Sequence, residues 1–254
     1  MNPLFDSNGR RSVPTGLQAN VCNPRTAFYL TQPDIDYAGR LNRLHKFLCP
    51  TDISVDQFQN EAEKIKKATL ANEQIANLFK GVYLPVVIPH NVAGITDVGT
   101  LLEAWLEAVG KSYEAEFPDR KFYNHRQGDL ADKVKIVKES RHQGLLEKIK
   151  QGPVFGWYCP IPLQGFSVHA QREQITGLPN NLILSGLDAI IAQIMYPDIL
   201  AKDSSTPGYD LSAFSWESSG YSLFFGASGD GLGFDYGGDL GYALDCFSGG
   251  VLVW

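Results

Sequence analysis

The sequence lacks any long hydrophobic run, and no stretch approaches the roughly 18 consecutive apolar residues that a membrane-spanning helix requires. Its N-terminal segment has no apolar run after basic residues, as a secretory signal would have. The four cysteines (Cys22, Cys49, Cys159 and Cys246) form no CxxC pair, which argues against a zinc knuckle or a redox motif. From these absences we expect a cytoplasmic protein with free thiols and no membrane association.

Basic residues are scarce in the C-terminal third of the chain. From Gln171 to Trp254 there are ten Asp and Glu but only two basic residues, Arg172 and Lys202, which gives this part a formal charge of −8, against −6 for the whole chain. An acidic surface repels phosphate backbones, so we expect no nucleic-acid partner there. A basic protein is the class of partner that this charge fits. The sequence gives no indication of the oligomeric state.

Helical periodicity dominates the first two hundred residues. Residues 1–32 have no periodicity and are predicted to form an extended N-terminal arm. Helices are predicted at 33–48, 168–177 and 182–200. Two more are predicted to begin at the capping boxes of Ser54 and Thr100, and another is predicted to run from the cap Asp129 to about residue 150. Strands are predicted at 82–88, where Pro85 favours either an edge strand or a bulged strand, and at 153–159.

The segment 209–254 is rich in glycine and holds eleven of the 29 aromatic residues. Alternation of apolar and polar residues predicts three to five antiparallel strands, one of them over 240–247, with tight turns at Gly237-Gly238 and Gly249-Gly250. The predicted fold class is therefore α+β, with a helical N-terminal half packed on a C-terminal antiparallel β-meander. After the arm we expect one continuous domain, 33–254, with a possible sub-boundary near 150–170.

Two arrangements could carry catalysis. Cys159 and His169 lie ten residues apart, and a thiol hydrolase or transferase needs a thiolate, a histidine to activate it and an orienting group, here Asp188 or Gln174. Cys159 follows an aromatic strand rather than starting a helix, so nothing in the sequence lowers its pKa. His90 follows the predicted strand at 82–88, but one histidine with Asp97 is too few ligands for a metal site.

The acidic and aromatic side chains of the last segment are better candidates for binding than for catalysis. Asp230, Asp235 and Asp239 do not match the spacing of a calcium loop, and no helix follows the glycine-rich stretch to make it a phosphate-binding loop. We therefore expect no metal and no cofactor. Exposed Tyr and Trp dominate protein interfaces. The predicted binding residues are Asp230, Asp235, Tyr236, Asp239, Tyr242, Trp216 and Trp254.

The stretch LFFGASGDGLGFDYGGDLGYALDCFSGGVLVW resembles the closing strands of the SUKH superfamily. The residues that carry the resemblance are Gly238, Asp239, Tyr242, Leu244, Asp245, Gly250, Val251 and Trp254, with Leu178-Pro179 standing before a predicted helix as in that family. The resemblance covers at most the last 80 residues. It implies an α+β domain without catalytic residues that binds other proteins, and many such domains are immunity proteins that block a toxin.

Three hypotheses about function follow. The leading one is a non-enzymatic protein-interaction module, in particular a toxin-neutralising one, because an acidic surface would steer a basic toxin toward it. The second is a cysteine-dependent hydrolase or transferase using Cys159 and His169, or a site at His90. The third is a small-ligand-binding protein with an aromatic pocket lined by the last strands. An open cleft that brings Cys159 to a histidine nitrogen would favour the second.

Overall fold

A computed structural model of the chain describes residues 2–90 and 97–254. Within them the helices are α1 (Tyr37–Phe47), α2 (Val55–Leu70), α3 (Val98–Glu116), α4 (His142–Ile149), α5 (Val168–Gln174), α6 (Leu187–Met195) and α7 (Pro197–Leu200). The strands are β1 (Leu84–Ile88), β2 (Lys121–Asn124), β3 (Val134–Ile136), β4 (Val154–Cys159), β5 (Leu182–Leu184), β6 (Gly208–Leu211), β7 (Phe214–Trp216), β8 (Ser222–Ala227), β9 (Gly231–Gly237), β10 (Phe247–Gly249) and β11 (Val251–Val253).

These elements confirm the predicted α+β class, with the long helices in the N-terminal half and most strands in the C-terminal half. The strands form a four-stranded sheet in the order β1-β4-β11-β5, a five-stranded sheet in the order β10-β6-β8-β9-β2, and the small pair β3-β7. β6, β8 and β9 are antiparallel neighbours, whereas β10 and β2 join the two edges of their sheet in parallel. The C-terminal meander is therefore flanked on both sides by parallel strands.

The four-stranded sheet is antiparallel throughout and carries helices α2 and α6. Pro85, which cannot donate a backbone hydrogen bond, lies in β1 at the edge of this sheet, as the sequence predicted. All nine residues of α6 are buried, because this helix is enclosed by α1, α3 and β1. The helix α2 starts at the predicted cap, where the Ser54 side chain accepts a hydrogen bond from the backbone nitrogen of Gln57.

Several boundaries differ from those predicted. The cap of α3 is Asp97 rather than Thr100, since the Asp97 carboxylate accepts hydrogen bonds from the Thr100 nitrogen and hydroxyl. The predicted helix from Asp129 to 150 is instead a loop, strand β3 and the short helix α4. The apolar run 182–200 is divided into β5, α6 and α7, because Ser185-Gly186 and Pro197 interrupt it and the first three residues pair with β11.

The glycine pairs near the C-terminus do not form the hairpin turns that the sequence suggested. After Gly237 the chain enters an irregular loop, residues 238–246, where a strand was expected. Gly250 is the one residue between β10 and β11, which belong to different sheets. A Cβ at Gly250 would lie 2.6 Å from the Tyr158 ring and 2.4 Å from the Ser185 hydroxyl, so only glycine lets the chain cross between the sheets here.

The N-terminal arm packs against the rest of the chain. The Phe5 side chain is buried in the core, and Val21 forms an isolated antiparallel bridge with Phe166. Farther along the arm, the Asn20 side chain donates to the Gly241 carbonyl, and the Arg25 nitrogen donates to the Asp245 carbonyl. The arm therefore contacts the loop 238–246 directly.

Candidate functional site

The two faces of the five-stranded sheet have different surroundings. Strand register pairs Tyr209 with Phe225 and Phe225 with Phe234, and all three of these side chains are buried in the core. The opposite face carries Asp210 and Phe224, which also pair in register. This second face is covered by the loop 238–246 and by residues from the start of α5. A pocket lies between the sheet face and these covering residues.

We call this cavity the C-terminal pocket. It has a volume of about 160 Å3 and is lined by Phe166, Val168, Asp210, Ser222, Phe224, Gly237, Asp239, Leu240, Tyr242, Leu244 and Phe247. The Phe224 and Phe247 rings meet edge to face with their centroids 5.5 Å apart. Two lining side chains are unusually exposed for their type, Tyr242 at 62% and Leu244 at 39%. The pocket is therefore mainly apolar and opens at a rim of exposed apolar side chains.

Asp210 is the half-buried acidic group of the C-terminal pocket. Its Oδ2 accepts a hydrogen bond of 2.7 Å from Nε2 of the buried Gln171. Burial raises the pKa of Asp210 to about 7, although the Gln171 hydrogen bond and the charge of Arg172 both act to lower it. The carboxyl group is therefore poised to change its charge near neutral pH.

The loop that forms the rim is held by several backbone hydrogen bonds. The Leu240 carbonyl accepts from the His169 nitrogen, and the Cys246 carbonyl accepts from the Gly208 nitrogen at 2.9 Å. The Asp245 carboxylate also pairs with the Arg25 guanidinium at 3.0 Å, although this exposed pair contributes little to stability. With the Asn20 bond described above, these contacts fix a segment that has no regular secondary structure.

Of the predicted binding residues, Asp239 and Tyr242 line the C-terminal pocket. Asp239 is exposed and takes part in none of the ion pairs formed within residues 2–90 and 97–254. Asp230 instead lies in the turn between β8 and β9, where the Ser228 hydroxyl donates to it and lowers its pKa. The two acids look alike in the sequence, because both follow glycine in an acidic stretch.

Three other predicted residues form a separate cluster around Arg126. The Trp216 and Tyr236 rings stack with centroids 4.3 Å apart, and the Arg126 guanidinium lies 5.5 and 4.9 Å from these centroids. The Arg126 Nε is also 3.0 Å from the Asp235 carboxylate. Trp216 is only 4% exposed, and its indole nitrogen donates to the Asp129 carbonyl. Asp235, Trp216 and Tyr236 therefore already interact with a cation of the same chain, Arg126.

Trp254 is separated from both groups. It is half-buried beside Gly152 and Phe155, and the Lys148 ammonium lies 4.1 Å from the centroid of its ring. Its backbone nitrogen donates to the Asn181 carbonyl at 3.2 Å. The seven predicted binding residues therefore lie in four places, and two of them, Asp239 and Tyr242, share a pocket.

The residues considered for catalysis do not form a reactive group. Cys159 is fully buried in β4, and burial raises the pKa of its thiol to about 12. His169 is exposed on α5, and no hydrogen bond joins it to Cys159 in the part of the chain that the structure describes. The proposed orienting groups are also buried, with Gln174 accepting a hydrogen bond from Arg11. A thiolate is not available in this setting.

His90 is exposed at the end of β1, and its Nδ1 lies 2.6 Å from the Ile149 carbonyl. It borders a surface cavity of about 420 Å3 together with Thr51, Asp52 and Gln57. Asp97, which the sequence analysis considered with His90, is used as the cap of α3. Across the described residues, no group of three or more His, Cys, Asp or Glu side chains is arranged to hold a metal ion.

The pocket also contains residues that the sequence analysis missed, notably Asp210, Phe224 and Leu244. Asp210 stands between the apolar residues Tyr209 and Leu211, and this alternation correctly indicates a side chain on the opposite sheet face. No local pattern indicates that a loop covers that face, because the loop and β6 are about thirty residues apart in the chain. None of the described helices is both long and apolar enough to cross a membrane.

Comparisons with protein-family models, with curated proteins and with solved structures found no match to this chain.

Proposed function

We propose that this protein is a non-enzymatic protein-interaction module that uses the rim of the C-terminal pocket as its binding surface. The observation that carries the proposal is the exposure of Tyr242 and Leu244 on a loop held by hydrogen bonds. Beside them lies the Asp239 carboxylate, which forms no ion pair with any described residue. A loop whose backbone is already held in position loses little conformational entropy when a partner covers it, and exposed tyrosine is a frequent anchor of protein interfaces.

Charge supports a basic partner. The last 84 residues carry a formal charge of −8, and Asp239 and Asp210 contribute to it directly at the pocket. Complementary charge accelerates association and disfavours acidic competitors. Neutralisation of a basic toxin, the role that the resemblance to the SUKH superfamily implies, is the particular form of interaction that we propose.

The other two hypotheses receive less support. The burial and raised thiol pKa of Cys159 weigh against a cysteine-dependent hydrolase. The C-terminal pocket, at about 160 Å3, is below the range of roughly 300–1,000 Å3 that is typical for drug-sized ligands. The rim, rather than a deep cavity, is thus the feature suited to recognition.

A capture experiment with matched variants tests the proposal. The immobilised protein is exposed to extract of its native host, in parallel with the double variant Tyr242→Ala/Leu244→Ser and with the control Tyr123→Ala. Tyr123 is 42% exposed on β2, at the opposite edge of the five-stranded sheet. We expect a protein that the wild type and the Tyr123→Ala control retain and that the double variant loses by at least tenfold. Equal retention by all three proteins would refute the proposed surface.

A further inference from the structure

The size of the C-terminal pocket matches one side chain. A cavity of roughly 150 Å3 in a protein interior can hold a molecule the size of benzene. The C-terminal pocket, at about 160 Å3, is of that size. A partner could therefore insert a single long side chain here, while its surrounding surface rests on the rim formed by Tyr242 and Leu244.

The charge inside the pocket is negative and only partly compensated. In the residues that the structure describes, Gln171 provides the hydrogen bond to the Asp210 carboxylate, and Oδ1 receives none. Arg172 is the nearby base, but its Nε donates to the Ser212 carbonyl and its terminal nitrogen to the Phe214 carbonyl. None of the ion pairs in the described residues includes Asp210.

The apolar walls suit a cation on a long aliphatic stem. Phe224 and Phe247 both line the pocket. Aromatic rings attract cations over their faces and pack against the methylene groups of long cationic side chains. Leu240 and Val168 add aliphatic surface, and Asp239 supplies a second carboxylate in the lining. A neutral apolar side chain would leave the Asp210 carboxylate without a counter-ion, and an acidic side chain would be repelled by it.

From this combination we infer that the C-terminal pocket receives one lysine or arginine side chain of a partner protein, with Asp210 as its counter-ion and Asp239 as a second acidic contact. The inference rests on the proposed function, because it names the group that the partner inserts. Lysine and arginine share the cationic chemistry that the pocket recognises, so the two are compared as separate arms of the test.

Binding of side-chain analogues can be measured without the partner. The probes are n-butylammonium for lysine, n-propylguanidinium for arginine, and 1-pentanol as a neutral molecule of similar shape. Amide chemical shifts of residues 208–211 and 237–247 are followed by NMR during titration. We expect saturable shifts with at least one cation and none with 1-pentanol at the same concentrations. Equal binding of 1-pentanol would overturn the inference.

Two variants test the pocket by different means. Asp210→Asn removes the charge but keeps an oxygen for the Gln171 hydrogen bond, and we expect at least tenfold weaker binding of the cationic probe. Gly237→Val should fill the pocket, because a Cβ at Gly237 would have free space and lie 3.9 Å from the Phe224 ring. We expect Gly237→Val to abolish the shifts even if Asp210→Asn were unstable. Asp230→Asn, an equal change of net charge outside the pocket, should change the affinity by less than twofold.

Acidification should weaken probe binding, since the pKa of Asp210 is about 7. The ionised fraction of such a group falls about tenfold between pH 8 and pH 6. His169, Asp239 and Arg172 are the other charged or titratable groups near the pocket. The pH dependence that remains in Asp210→Asn therefore belongs to these groups. Identical pH profiles of the variant and the wild type would contradict a counter-ion role for Asp210.

The affinities of these variants for the captured partner show whether this inference alone fails or whether the proposed function fails with it. If Tyr242→Ala/Leu244→Ser loses the partner but Asp210→Asn and Gly237→Val retain full affinity, the interaction surface stands and the inserted cation is refuted. If all of these variants retain the partner, both proposals fail. Loss of affinity in Asp210→Asn and Gly237→Val, with none in Asp230→Asn, supports both.

Discussion

At the scale of single residues, this protein contains acidic groups in two kinds of surroundings. Asp210 lines a pocket that opens to solvent, whereas Asp188 is completely buried at the start of α6. The Asp188 carboxylate accepts a hydrogen bond from the Gly186 nitrogen, yet burial still raises its pKa to about 7. Because Asp188 has no access to a ligand, we interpret it as a structural group whose ionisation opposes folding.

The variant Asp188→Asn tests this interpretation. Between about pH 4 and pH 7 folded Asp188 holds a proton that the unfolded chain has released, so this residue makes the stability fall as the pH rises. Asparagine removes that dependence while keeping an acceptor for the Gly186 nitrogen. From pH 4.5 to pH 8 the stability of the variant should improve relative to the wild type by roughly 2–4 kcal/mol, at about 1.4 kcal/mol per pKa unit. Urea unfolding at both pH values measures the free energy of unfolding of the two proteins. A difference between them that is the same at both pH values would contradict a raised pKa of Asp188.

His142 illustrates why buried groups of this kind are difficult to recognise in a sequence. It appears in a polar, charged stretch, yet it is fully buried, and its Nε2 accepts a hydrogen bond from the Leu187 nitrogen at 3.0 Å. Burial lowers the pKa of His142 to about 3, so it remains neutral. Its role depends on a backbone nitrogen 45 positions away in the chain, which local sequence patterns do not contain.

At the scale of the elements, local signals predicted the helix α2, which begins at the Ser54 cap, and the strand β1, which has a strong β-branched run. They failed where an element depends on a distant partner. Residues 182–184 are apolar enough to continue into α6, but they form β5 because β11, near the C-terminus, pairs with them. The alternating pattern of 240–247 predicted a strand, yet no neighbouring strand pairs with residues 240–246 in the described chain. Its alternation reflects a loop whose apolar residues cover a pocket.

The start of α3 provides a test at this scale. The capping-box pattern favoured Thr100 as the cap, whereas the structure assigns that role to Asp97, whose carboxylate also accepts from the Asp132 nitrogen at 3.1 Å. Asp97→Ala should therefore lower the free energy of unfolding by about 1 kcal/mol, within the usual range for a lost cap. Thr100→Ala should cost little, because alanine favours the first turn of a helix. Chemical denaturation compares the free energies of unfolding of the two variants. A larger decrease in Thr100→Ala than in Asp97→Ala would support Thr100 as the cap, as the sequence predicted.

At the scale of the whole molecule, the fold class could be predicted but the assembly of the candidate site could not. The pocket brings together residues from around 166, 210, 224 and 240, which lie in different elements of the chain. Its rim is also held by the N-terminal arm through Asn20 and Arg25. Sequence reasoning identified Asp239 and Tyr242 from composition, but the position of Asp210 beneath them depends on strand pairing and on a loop that crosses the sheet.

The order of the strands explains how the site is tied to the core. Because Gly250 connects β10 of one sheet to β11 of the other, the segment that follows the rim ends inside the four-stranded sheet. β11 is buried and pairs with both β4 and β5. The loop 238–246 is thus anchored on its C-terminal side by paired strands of both sheets, as the binding surface that we propose would require.

Hydrogen–deuterium exchange of the protein with and without its captured partner tests the central proposal most directly. The account predicts that the partner slows exchange in residues 238–247 and in the adjoining ends of β6 and β8, while β2 and α3 are unaffected. Protection confined to β2 and α3, or to the surface around Trp254, with unchanged exchange in 238–247, would contradict the proposal that the rim of the C-terminal pocket is the binding surface.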